Sequence, residues 1–149
     1  MIERVREEDL PDLLPLVRAY CDFYEVAPSD DALLSLSRAL IEDPAREGVQ
    51  LLARSEDDER RPLGFATIFW SWSTLNAARL AIMNDLFVDP AARGTGVADA
   101  LIAACREEAR TNGAVWLGWQ TAKDNHRAQK VYDRVGGERS EWIDYGLRP

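Results

Sequence analysis

The chain has 149 residues, 46% hydrophobic and 30% charged, with 26 acidic against 18 basic side chains and a net charge of −8; this is a globular composition, long enough for its own core, and one domain over residues 1–149 is expected. The negative charge argues against nucleic acid as the partner, because phosphate contacts need clustered Lys and Arg, while remaining compatible with a cationic substrate. No apolar run reaches membrane-spanning length, and one histidine with two distant cysteines offers no metal-ligand cluster.

The start, Met1-Ile2-Glu3-Arg4, lacks the apolar stretch of a signal peptide, so a cytoplasmic protein is expected. Residues 2–5 read as an opening strand. Glu7, Glu8 and Asp9 place acids where a helix begins, and Pro11 suits its first turn. Leu10, Leu13, Leu14, Val17 and Cys21 share one face, which predicts a helix over 8–23. Val26-Ala27-Pro28 breaks it. Ser29-Asp30-Asp31 caps a second helix with Leu33, Leu36, Leu40 and Ile41 inward, ended by Asp43-Pro44. A strand over 49–54 leads into the acidic stretch 55–59, read as a solvated hairpin turn. The next strand, 63–73, is rich in aromatics, and alternation splits Phe65 and Phe69 from Trp70 and Trp72. A strand over 80–88 follows. A helix over 96–111 carries Val97, Leu101, Cys105 and Ala109 inward and stops at Asn112-Gly113. A strand over 115–121, a short helix over 125–135 closed by Gly136-Gly137, and a last strand over 142–147 complete the chain. Cys21 and Cys105, each within an apolar helical pattern, read as buried free thiols.

The order is β-α-α-β-β-β-α-β-α-β. Antiparallel strands come first, and a strand-helix-strand unit then forces one parallel pair. The fold class is therefore α/β, with a mixed sheet of the α+β kind.

One junction stands out. Leu86-Phe87-Val88-Asp89-Pro90-Ala91-Ala92-Arg93-Gly94-Thr95-Gly96-Val97-Ala98 runs from an apolar strand through a turn into a helix. Such a turn directs several backbone N–H groups to one point at the positive end of a helix dipole, which suits an anion such as phosphate. Glycine keeps a Cβ from holding the anion off the amides. A P-loop needs Lys and then Ser or Thr after its last glycine, and Gly96-Val97-Ala98 has neither. A dinucleotide fingerprint belongs in the first strand-helix unit of a doubly wound fold, and here position 99 is Asp.

What remains resembles the GNAT superfamily of acyl-CoA-dependent N-acetyltransferases. The phosphate turn of that family reads Arg/Gln-x-x-Gly-x-Gly/Ala, and Arg93-Gly94-Thr95-Gly96-Val97-Ala98 matches it. A second family block, an asparagine at a helix entry followed by a tyrosine, is matched by Asn125-His126-Arg127-Ala128-Gln129-Lys130-Val131-Tyr132. The pattern is most similar to the diamine and thialysine (small-amine) branch, and element order agrees along nearly the whole chain.

The resemblance implies a GNAT fold: a mostly antiparallel sheet, helices on both faces, and one parallel strand pair splayed to admit CoA. It implies that amides over 94–99, from Gly94, Thr95, Gly96, Val97, Ala98 and Asp99, hold the CoA pyrophosphate, with Arg93 beside them. It further implies that backbone groups of Leu86, Phe87 and Val88 pair with the pantetheine arm like an added strand. An N–H near Val88 would polarise the thioester carbonyl. Asn125 and Ala128 would contact the same arm, Asn125 while capping its helix. The reaction implied is direct attack by an amine in a ternary complex, with no covalent enzyme intermediate, no metal and no nucleophilic cysteine.

Tyr132 lies seven positions after Asn125, roughly two turns on, so the two share a helix face. Periodicity alone reads it as a core tyrosine; the resemblance makes it the general acid that protonates the departing thiolate. The base is open between Asp85 and a water chain to solvent. In the small-amine branch the pair before the CoA-pairing strand is Glu-Asp, whereas this chain has Asn84-Asp85. His126 reads as helix-start surface or as a CoA contact. Tyr24, Trp72 and Asn84 are expected around the acceptor; Trp72 also suits a subunit interface, where aromatic faces otherwise attract cations. Asp99 suits the dipole but repels phosphate. The expected function is acetyl transfer from acetyl-CoA to a primary amine of a small molecule that is polyamine-, amino-acid- or aminoglycoside-like. The alternatives are a protein N-terminal or lysine acetyltransferase and a non-catalytic acyl-CoA-binding regulatory module. The Trp-rich hairpin and the terminal segment with Trp142 and Tyr145 offer apolar surface for a homodimer.

Overall fold

The computed structural model describes residues 1–149 except Asp58, so the turn expected over 55–59 falls partly outside the described residues. The elements are β1 (Ile2–Arg4), α1 (Leu10–Phe23), α2 (Asp30–Glu42), β2 (Gly48–Arg54), β3 (Pro62–Ser73), β4 (Ala78–Val88), α3 (Val97–Thr111), β5 (Ala114–Gly118) and α4 (His126–Arg134). Short 3-10 turns at Glu7–Asp9 and Pro90–Ala92 precede α1 and α3. The five strands lie in sequence order, antiparallel except for the parallel β4–β5 pair. This is the mixed α/β architecture expected.

Alternation along the strands divides the core between two faces. Val49, Leu51, Ala66, Ile68, Ala81 and Met83 pack on one face against Leu101, Ile102, Cys105 and Ala109 of α3. Leu52, Phe65 and Phe87 pack on the other against Leu10, Leu13 and Leu16 of α1. The inner side of α2 differs from expectation: Ser37 and Leu40 are buried, while Leu36 is 43% exposed. Cys21 and Cys105 are buried free thiols, and burial pushes the Cys105 thiol up to about 12.

A buried cation ties α1 to the sheet. Arg54 is 8% exposed and donates to Asp9 and to Asp12, each at 2.7 Å. Burial alone would lower its pKa; the two carboxylates outweigh that and hold it above its ordinary value. Asp9 therefore serves the sheet as well as the helix entry.

The strand expected over 142–147 is absent. Trp142, Ile143, Tyr145 and Leu147 are 87%, 76%, 93% and 100% exposed, and the segment is held to the chain just past β5 by Gln120, whose Nε2 donates to Asp144 at 2.5 Å. Strand propensity reflects packing against neighbours, and no ladder forms here. β5 keeps its outer edge unpaired among the described residues. It also ends at Gly118, earlier than the expected 121, because Trp119 turns to pack on α4.

Candidate active site

The site begins with one extra residue. Thr67 pairs with Asp85 and Ile68 with Met83, so Asn84 is a β-bulge in β4. The last parallel pair, Ile82 with Gly118, lies just before it. A bulge bends and twists its strand, and beyond this one β4 and β5 separate. It also resets the alternation: Met83 and Leu86 both pack toward α3, while Asp85 and Phe87 face α1. Beyond the bulge Asp89 N–H donates to Leu63 O at 2.8 Å, so odd residues of β4 bond to β3. Leu86 and Val88 consequently aim their N–H and C=O into the gap.

The gap is a cleft of about 660 Å³ running from Tyr20 and Phe23 of α1 and Tyr24 just after it, past β4, to the start of α3 and the side of α4. At its α3 end, Asp89 Oδ1 accepts from Ala91 N–H at 2.7 Å and the Thr95 hydroxyl donates to Ala92 O at 2.6 Å, which fixes the turn. Gly94 and Gly96 have φ of +78° and +88°, a region that L side chains rarely adopt. A Cβ built on either meets no atom within 4 Å, so the space before these amides is open. That open cradle fits a diphosphate. Arg93 donates to Val88 O at 3.1 Å. Its pKa is lowered by burial and by the nearby charge of Arg127. Asp99 is neutralised locally: Arg134 donates to its two oxygens at 3.0 and 2.7 Å, and this pairing holds the carboxyl below its ordinary value. The repulsion expected from Asp99 is thus offset by a residue of α4.

In the middle of the cleft, Asn125 Oδ1 accepts from Ala128 N–H at 3.2 Å, capping α4. Tyr132 is half-buried, edge-on to Trp119 with centroids 5.3 Å apart. Burial, then the proximity of Tyr24, raises its phenol above the ordinary value. At the α1 end, Asn84 Nδ2 donates to Asp85 Oδ1 at 3.0 Å. The phenol of Tyr20 is raised by burial and then by the Asp85 carboxylate beside it.

The cleft thus gathers Tyr24, Asn84, Leu86, Phe87, Val88, Arg93, Gly94, Gly96, Val97, Ala98, Asp99, Asn125, Ala128 and Tyr132. Asp85 lies behind this wall, reached through Asn84 and Tyr20, and Thr95 is turned into its own loop. Trp72 is not brought to the cleft. It sits at the far end of β3, with the Arg79 guanidinium 4.9 Å from its ring centroid. Trp70 is half-buried, its indole donating to Pro44 O at 2.8 Å. His126 is exposed and does not line the cleft. Lining residues that sequence reasoning did not single out include Tyr20, Phe23, Trp119, Arg127, Lys130 and Arg134. Two signals were available. Tyr20 and Tyr24 are spaced i, i+4, and Arg127, Lys130 and Arg134 form a basic i, i+3, i+7 stripe. Among the described residues no group of His, Cys, Asp and Glu could hold a metal, and no helix is long and apolar enough to cross a membrane.

Residues 13–137 match the acetyltransferase (GNAT) family. The chain is 31% identical over 137 residues to the uncharacterized N-acetyltransferase YhfO of Bacillus subtilis (strain 168), covering 92% of this chain and 89% of that one. The crystal structure of a probable acetyltransferase is 33% identical, with a TM-score of 0.87 over 100% of this chain and 97% of that one. Aminoglycoside N-acetyltransferase AAC(6')-Iy, solved with a CoA-S-monomethyl-acetylneamine bisubstrate analog, shares the fold at 21% identity and a TM-score of 0.84, over 100% and 97% of the two chains. So does ribosomal-protein-alanine N-acetyltransferase from Brucella melitensis biovar Abortus 2308, at 21% identity and 0.80, over 99% and 97%. The chain belongs to the acetyltransferase (GNAT) family, and its class of activity is N-acetyl transfer.

Proposed function

We propose that the protein transfers the acetyl group of acetyl-CoA to a primary amine of a small molecule. The observation that carries this reading is a single cleft with an open, cation-flanked amide cradle at one end, the Tyr132 phenol in its middle, and at the other end a wall of Tyr20 and Asn84 with the Asp85 carboxylate behind it. When bound, acetyl-CoA supplies the acyl group as an activated thioester. The amides over 94–99, Arg93 and Arg127 hold its phosphates, and the gap-facing backbone of Leu86 and Val88, with Asn125 and Ala128, orients its arm. Asp85 receives the acceptor's ammonium and takes its proton directly or through water. Tyr132 keeps its proton at Oη through neutral pH and delivers it to the departing sulfur. A cleft of about 660 Å³ is in the range of small-molecule sites. We further propose that residues 1–149 act as one domain and that two copies pair through the exposed apolar tail.

The test is a thiol-release assay with acetyl-CoA and an amine panel, run on wild type and Tyr132→Phe. Turnover should fall roughly 100-fold or more in the variant, with CoA affinity unchanged by calorimetry. CoA binding without turnover on any amine would instead support an acyl-CoA-binding module, and turnover confined to peptides a protein acetyltransferase.

A further inference from the structure

The acceptor end of the cleft is lined by Tyr20, Phe23, Tyr24, Met83, Asn84 and Phe87. None of these carries a charge. Among the described residues, the charged side chains of the whole cleft wall are Arg93, Asp99, Arg127, Lys130 and Arg134, and its one carboxylate, Asp99, is taken by Arg134. Asp22 and Glu25 neighbour Phe23 and Tyr24 in sequence but do not line the cleft. Asp85, behind Asn84 and Tyr20, is the carboxylate joined to this wall.

The rings at this end form a corner. Tyr20 and Tyr24 meet edge to face with centroids 5.0 Å apart at 66°, and Phe23 meets Tyr24 at 5.1 Å and 88°. Phe23 and Tyr24 remain 54% and 46% exposed. Ile82, two positions before Asn84 on β4, is 42% exposed. A corner of rings in this arrangement accepts another ring edge-on or offset. A second ammonium placed here finds no carboxylate of the cleft wall to pair with, and further along the cleft it approaches Arg93, Arg127, Lys130 and Arg134, whose charges repel it.

Building on the acetyl-transfer reading above, we infer that the acceptor is a monoamine carrying one apolar, ring-bearing body, and not a polyamine or an aminoglycoside. Its single ammonium lies against the Asp85 pair, and its body covers Phe23 and Tyr24.

The experiment measures kcat/KM by thiol release for 2-phenylethylamine, spermidine, kanamycin and a short peptide with a free N-terminus, on wild type and Phe23→Glu. Phe23 is over half exposed, so this variant can fold. The expected result is a preference for 2-phenylethylamine of about tenfold or more. Phe23→Glu should reduce that preference about tenfold, raise activity on spermidine, and leave CoA affinity unchanged. Equal or better use of spermidine or kanamycin overturns the inference and leaves acetyl transfer to small amines standing. So does a Phe23→Glu variant with unaltered selectivity. Exclusive use of the peptide overturns both the inference and the small-molecule assignment. Retained CoA binding with no thiol release on any amine overturns the acetyl-transfer reading itself, and the inference with it.

Discussion

Gly96 supplies a direct test of the cradle, because the structure also supplies its control. Gly96 at the start of α3 and Gly113 just past its end have φ of +88° and +77°, and a Cβ at either meets nothing within 4 Å. Alanine at either position therefore suffers the same backbone strain, about 1–2 kcal/mol for an L residue in the left-handed region. Each should lower Tm by a few degrees. The two differ in what the new methyl faces. At Gly96 it occupies the open space before the α3 amides, whereas Gly113 is not part of the cleft wall. Loss of one charge-assisted amide–phosphate hydrogen bond costs about 1.5–3 kcal/mol, so Kd for CoA should rise roughly 10- to 100-fold in Gly96→Ala. Gly113→Ala should bind CoA as wild type does. Calorimetric titration below the Tm of both variants reads the difference. Equal CoA affinity for the two would refute the placement of the diphosphate at this turn.

Three further outcomes are expected. Arg54→Leu leaves Asp9 and Asp12 without their cation; because Asp12 is 48% exposed and can rehydrate, the loss should be about 2–3 kcal/mol, visible as a lower urea midpoint, and an unchanged midpoint would show the network to be inert. The raised phenol of Tyr20 means that the folded state keeps a proton that the unfolded chain releases above pH about 10. Stability should thus be unaffected below that pH and fall as pH rises past it, and Tyr20→Phe should flatten the fall in urea titrations at successive pH values; the same slope in both proteins would contradict the environment assigned to Tyr20. If two copies pair as proposed, the full chain should run as a dimer in light scattering and a chain lacking residues 138–149 as a monomer; a monomeric full chain, or a dimer that survives the deletion, would refute pairing through the tail.

Local periodicity made much of this protein readable. The apolar spacing of α1 and α3, the alternation of β2 to β4, and the glycine turn over 93–98 are set by residues within one or two turns of each other. The elements they specify formed near the expected places. The terminal segment 142–147 had the same local signal, but a strand also needs a partner, and a run of Trp, Ile and Tyr cannot show whether one is in reach.

Only the tertiary structure decided the features that make the cleft. Asn84 becomes a bulge because β3 and β4 register differently on its two sides, a relation between residues 15 to 18 positions apart that no single-strand pattern contains. The same holds for Asp99 with Arg134, for Arg54 with Asp9 and Asp12, and for Tyr20 with Asp85. None of these pairings is visible from the neighbours of either residue in sequence. The chain alone determines where helices begin and which amides are left bare; folding determines which distant charges and rings come to stand beside them, because electrostatics and packing act through space and not along the backbone.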